Sequence, residues 1–148
     1  MTDCAPIKSH LRTALAAATD EANQWRGRCV NLFACAEVAI GTGLAAREPG
    51  KKLPMLISQK AQRLSKCVES DAARKALGDF AVLLADRTAL THGAGRLWVS
   101  DGGNWLLTLD WSTSKGPERR TFSSKEAETF HSRLRALVRS LESTFRLL

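Results

Sequence analysis

A mainly α fold is what this sequence predicts: an antiparallel bundle of four to five helices, with a β-hairpin or small three-stranded sheet at about residues 96–122 inserted before the last helix. Three observations carry that expectation. Apolar residues recur every three or four positions up to Leu90 and again after Ser123, the period drops to two between Arg96 and Trp111, and the Pro and Gly punctuation leaves only short connections. At 148 residues the chain suits one domain spanning 1–148, burying roughly two-thirds of its unfolded surface.

Taken in order, Cys29, Leu32, Phe33, Ala36, Ile40, Gly43 and Leu44 form one stripe. This predicts a long first helix, or two with a bend near Gly27, stopping at Pro49-Gly50. Pro54 is tolerated in a first turn and opens a second helix, expected to carry Leu56, Ile57, Leu64, Cys67 and Val68 inward. Ser70 is the N-cap of a third, "DAARKALGDFAVLLADRTALTH", which Gly93 and Gly95 terminate.

"RLWVS", "DGGN" and "WLLTLDW" then read as strand, turn and strand, with Trp105, Leu107, Leu109 and Trp111 alternating onto one face. After a loop, "STSKGPE", comes a short third strand, "RRTF". Ser123 and Glu126 form a capping box for the final helix, whose inner stripe is Phe130, Leu134, Leu137, Val138, Leu141 and Phe145.

Twenty-two Lys and Arg against 15 Asp and Glu give a net charge of +7, and fourteen of the basic residues are arginine, which forks onto phosphate and stacks on bases. A polyanionic partner such as RNA accounts for this balance, and so does a solvated basic face. The four cysteines (Cys4, Cys29, Cys35, Cys67) have no CxxC spacing, which fits reduced thiols, with Cys29 and Cys35 in the core. With no stretch of about 18 uninterrupted apolar residues, the expectation is a cytoplasmic protein without a membrane partner. "GTG" at Gly41–Gly43 lacks the GK[ST] of a phosphate loop, there is no GxSxG, and His10, His92 and His131 are scattered. No metal and no cofactor are expected.

On the third helix, Ala76, Leu77, Phe80, Ala81, Leu83, Leu84 and Leu90 define an apolar arc of about half the circumference. Arg87, Thr88 and Thr91 fall inside it and His92 beside it. A guanidinium on the buried side of a helix is costly unless it is paired or faces a cleft or another chain. Residues five apart lie about 140° from each other, so Arg87 and His92 do not stack as neighbours, whereas Thr88 and His92 do. A two-fold axis near the helix end would bring two such pairs into one cleft.

A helical bundle whose penultimate long helix ends in Arg, a polar residue, three more residues, His and Gly resembles the HEPN superfamily, and "RTALTHG" fits its short Arg-x4-His form. The resemblance implies a homodimer with a composite cleft and metal-independent RNA cleavage of the toxin or defence type, with Arg87 and His92 in the paired positions and Thr88 supporting them. It also implies an antitoxin-like protein partner. In that chemistry the histidine moves protons and the arginine neutralises the scissile phosphate. The residue after the Arg is most often Asn, Asp or His in the superfamily, and here it is Thr88, a departure that also suits a noncatalytic RNA- or protein-binding member.

A purely structural alternative pairs Arg87 with Asp79 or Asp86 and sets His92 against the helix-terminal carbonyls. For the hairpin, Trp98 beside Arg96, Arg119 and Arg120 is a candidate nucleic-acid surface, the alternative being that Trp98, Trp105 and Trp111 cover the bundle end. A basic helical DNA-binding or regulatory protein is the remaining reading.

Overall fold

The computed structural model describes residues 5–100 and 102–145. These form five helices, α1 (Ala5–Arg47), α2 (Ile57–Cys67), α3 (Asp71–Val82), α4 (Leu84–His92) and α5 (Ser124–Phe145). Three strands, β1 (Ala94–Val99), β2 (Trp105–Thr113) and β3 (Gly116–Ser123), lie between α4 and α5. One continuous core draws on every helix and on the inner face of the sheet.

The first stripe holds: Cys29, Phe33, Ala36, Ile40 and Leu44 are buried and Leu32 is packed against them. Gly27 bends nothing, because α1 runs unbroken past it. Gly43 has a packing role instead: a Cβ there would sit 2.7 Å from the Phe145 ring, so only glycine lets α5 close onto α1. By length and composition Ser9–Arg47 also qualifies as a membrane-crossing stretch, contrary to the expectation from uninterrupted apolar runs, and 39% of its most apolar window is buried in the bundle.

α2 starts at Ile57, three residues beyond Pro54, with Leu56 as an N-cap that offers no side-chain acceptor. Its inward residues are Ala61 and Leu64, followed by Val68. Leu56 is 59% exposed and Cys67 is exposed, so those two expected core positions are corrected. The late start leaves Leu56 before the first helical turn and off the inward stripe.

The expected third helix is two helices. Ser70 caps α3 as anticipated, its hydroxyl accepting from Ala73 N–H. At Leu83 the amide bonds back to the Phe80 carbonyl, a three-residue turn that ends α3 before α4 begins. The tighter turn shifts the phase of everything after it: Ala81 and Thr91, inside the arc of a straight helix, are exposed, while Ala89 joins Leu90 in the core.

The sheet is antiparallel in the order β1-β2-β3. Its first turn is closed by Ser100 and Asn104, with Gly103 at φ 76°, while Asp101 of the expected "DGGN" lies outside the described residues. The segment anticipated as a loop from Ser112 to Glu118 is strand on both sides of a two-residue turn, with Thr113 opposite Gly116. Gly116, at φ 121°, supplies the conformation that makes so tight a turn available. The alternation holds: Trp105, Leu107 and Leu109 are buried and Trp111 half-buried.

Ser123 caps α5 through the Glu126 amide, and the predicted inner stripe of α5 is buried except for the half-buried Leu137. Trp25 donates its indole N–H to the Ala127 carbonyl at 2.7 Å, and equal steps further along both helices Gly43 meets Phe145. α1 and α5 therefore run in the same direction. α3 and α4 run against α1, as the Phe33–Phe80 contact and the Arg26–Leu90 bond show. The sheet makes this mixed arrangement possible, carrying the chain back so that α5 can lie parallel to α1.

Candidate functional site

The Arg/His motif sits where α4 ends against α1 and the sheet. Arg87 faces inward, as its place in the apolar arc requires, and its guanidinium Nε donates to the Glu37 carboxylate of α1. The two side chains are 29% and 30% exposed, so the pair is half-buried rather than entombed. Neither acid expected as partner takes part: Asp79 pairs with Lys75 one turn away, and Asp86 accepts from Arg120 on β3 at 2.9 Å. Glu37 escaped sequence reading because it lies fifty positions away, and only the crossing of α1 and α4 brings it close.

His92 is the last residue of α4, exposed, and makes no hydrogen bond among the described residues. The helix-terminal carbonyls expected to meet it are taken by Arg26, whose Nε donates to Leu90 O at 2.6 Å and whose second nitrogen donates to Gly93 O at 2.7 Å. Burial holds the Arg26 guanidinium below its ordinary pKa. Gly93 has φ −67°, so the backbone conformation does not demand glycine. Space does, because a Cβ would lie 2.4 Å from the Ala89 carbonyl oxygen and 2.8 Å from Leu109 Cβ. The glycine after the histidine is thus where β2 crosses closest to the helix end.

Thr88 is half-buried and donates its hydroxyl to the Leu84 carbonyl at 3.1 Å. It lines a groove of about 410 Å³ between α4 and the β2–β3 turn, with Trp111 and Lys115 on the facing wall. Neither Arg87 nor His92 lines that groove. Within one chain the structure separates the three motif residues into an ion pair, a groove wall and an exposed helix end.

The residues proposed for nucleic acid divide between the two faces of the sheet. The outer face carries Arg96, Trp98, Leu106, Thr108, Asp110, Arg119 and Thr121, because side chains alternate and the register sets Trp98 opposite Leu106 and Asp110 opposite Arg119. Trp98 is 65% exposed and Leu106 41%. Asp110 accepts from Arg119 at 2.6 Å and from Arg96 at 3.2 Å, leaving one net positive charge on the triad. The hydrogen bond and charge of Arg119, assisted by Arg96, hold the Asp110 carboxyl below its ordinary pKa.

Arg120 does not join that face. It points inward, lies 4.1 Å over the Phe122 ring, bonds Asp86 and turns another nitrogen to the Thr121 carbonyl. Its neighbour Phe122 belongs to an aromatic cluster with Trp25 at 4.9 Å and Phe130 at 5.3 Å. Trp105 joins the same cluster, 5.9 Å from Trp25. Two of the three hairpin tryptophans therefore serve the core wholly or in part, and Trp98 alone is presented to solvent. No three His, Cys, Asp or Glu side chains cluster to hold a metal ion among the described residues.

Comparison of the chain with family models, curated proteins and solved structures gives no match.

Proposed function

We propose that the chain binds RNA on the outer face of its sheet, as a HEPN-like domain in which a single chain does not cut. The observation that carries this reading is the juxtaposition on one open face of an exposed Trp98, an adjacent Leu106 and the guanidinium groups of Arg96 and Arg119. An exposed indole offers a plane on which an unpaired base stacks, and arginines beside it meet the phosphates on either side. The rest of the basic surplus, +7 over the chain, raises the local concentration of a polyanion without selecting a sequence.

Fluorescence anisotropy with short single-stranded RNA tests the assignment. Trp98→Ala is expected to weaken binding by about tenfold, as loss of one base stack does. Arg96→Ala and Arg119→Ala each reduce the salt dependence of binding. Binding unchanged in Trp98→Ala would remove the sheet face from the interface.

A second reading, metal-independent cleavage by a homodimer, is favoured by one observation: His92 is open at the end of α4 with Arg87 partly accessible nearby. Two copies meeting at this end would oppose two Arg/His pairs across one cleft. RNA degraded in EDTA by a dimer, and spared by both Arg87→Ala and His92→Ala, would establish it. RNA left whole, or a chain that stays monomeric in light scattering, would leave binding as the function.

A further inference from the structure

Away from the motif and the outer sheet face, α1 and α5 part over about two turns and leave a cleft of about 340 Å³. It is lined by Glu21, Arg28, Trp105, Ser124, Glu128 and His131, with Trp25 and Ala127 at its base. Two features distinguish it from a solvated surface groove. Trp105 is 4% exposed, and its indole N–H has no partner among the described residues, in contrast to the neighbouring Trp25, whose N–H is bonded. A buried donor left without an acceptor is costly and calls for an occupant. The second feature is that Glu21, Arg28 and Glu128 line one cleft without forming an ion pair there.

The parallel course of α1 and α5 orders these groups along the cleft. Trp25 stands beside Ala127, so Arg28 comes level with His131 at one end and Glu21 with Ser124 at the other. Glu21 and Arg28 are seven residues apart on one helix, about 10 Å at the helical rise. His131 is held below its ordinary pKa by partial burial and by the charges of Arg28 and Arg135, so at neutral pH it adds hydrogen-bonding capacity without charge. The cleft thus has a cationic end, an acidic end and an aromatic wall between them.

We propose that this cleft binds a small linear molecule with an ammonium or guanidinium group at one end and a carboxylate at the other, joined by an apolar stem. The carboxylate meets Arg28, the cation meets Glu21 and Glu128, and the stem packs along Trp25, Ala127 and Trp105. An acceptor oxygen of the ligand, or a water held beneath it, completes the Trp105 N–H. An α-amino acid carrying only its two adjacent charges does not span both ends, whereas an ω-amino acid or a basic amino acid does. The site shares no residue with the proposed RNA surface, so each stands or falls alone.

Calorimetric titration of the full chain with 6-aminohexanoate and Nα-acetyl-L-arginine, against hexanoate and hexylamine, tests the proposal. Saturable binding of the two-ended probes is expected, with each one-ended control weaker by about tenfold, as loss of a charge-assisted contact predicts. Arg28→Ala and Glu21→Gln, both at exposed positions that the fold does not depend on, each weaken binding by about tenfold. Trp105→Phe keeps most of the ring and removes the N–H. It lowers the ligand-induced rise in melting temperature without lowering the stability of the unliganded chain. Absence of saturable binding by both two-ended probes, equal binding of hexanoate, or affinity unchanged in both charge variants would overturn the proposal.

Discussion

On β3, Arg119 and Arg120 are neighbours with different surroundings. Arg120 turns inward, spreads over Phe122 and is fixed by Asp86 and a backbone carbonyl. Arg119 turns outward and meets Asp110 in solvent, beside Arg96 and a tryptophan that covers nothing. The inner face is a structural surface, in which even the charge is consumed by packing. On the outer face the same residue types remain available. An arginine count therefore says little about nucleic-acid binding until the face of each arginine is known.

The sharpest way to break this contrast is to truncate an aromatic residue on each side. Phe122→Ala empties a site between Trp25 and Phe130 and is expected to cost about 3–5 kcal/mol of stability in urea denaturation. Trp98→Ala, on the exposed face, is expected to change stability by no more than about 0.5 kcal/mol. If the two losses were similar, Trp98 would be a structural residue and the outer face would not be open.

A smaller effect is expected at the junction that carries the motif. Gly93→Ala forces a methyl group into the space between the Ala89 carbonyl and Leu109, and overpacking of this kind costs about 1–3 kcal/mol. Arg26→Ala leaves the Leu90 and Gly93 carbonyls without their cationic donor and is expected to cost about 2 kcal/mol. Glu37→Ala strands Arg87 only half-buried, so about 1 kcal/mol is the expected loss. If Arg87 is only a structural partner of Glu37, the double variant Glu37→Ala with Arg87→Ala is no less stable than Glu37→Ala alone.

These junction residues also mark the limit of what the sequence makes legible. The stripes of α1 and α5, the Ser70 and Ser123 caps and the alternation of β2 follow from local periodicity and side-chain chemistry, and the structure agrees with them. The break at Leu83 does not, since a single three-residue turn leaves no signature in a run of Ala, Val and Leu. Glu37 and Arg26 are invisible for a different reason. Each acts on α4 across more than fifty positions, and their charges look like ordinary surface residues on a helical wheel. Inward placement of Arg87 was readable from the arc, but its partner was not. Likewise, alternation on β3 puts Arg119 and Arg120 on opposite faces, yet only the sheet's docking onto the bundle shows which face is covered.

Acid titration separates the two environments more gently. His131 has a lowered pKa in the folded chain, so as the pH falls below its unfolded value of about 6.5 the unfolded state takes up a proton first. Stability therefore declines on acidification through that window, and His131→Gln should flatten the decline.

On the outer sheet face the sign is reached from the opposite charge. Asp110 is held below its ordinary pKa by Arg119 and Arg96, so its contribution is complete above the unfolded value of about 3.9 and is lost as the pH falls through the lower folded value. The Asp110→Asn variant should thus diverge from the parent in acid sensitivity only below that pH, and by a small amount because the group is solvent-screened. At neutral pH the same substitution removes the one negative charge between Arg96 and Arg119 and is expected to strengthen RNA binding while steepening its salt dependence. Tighter binding in Asp110→Asn with unchanged folding would place the phosphates on this face. Unaltered affinity would mean that the two arginines serve Asp110 and nothing else.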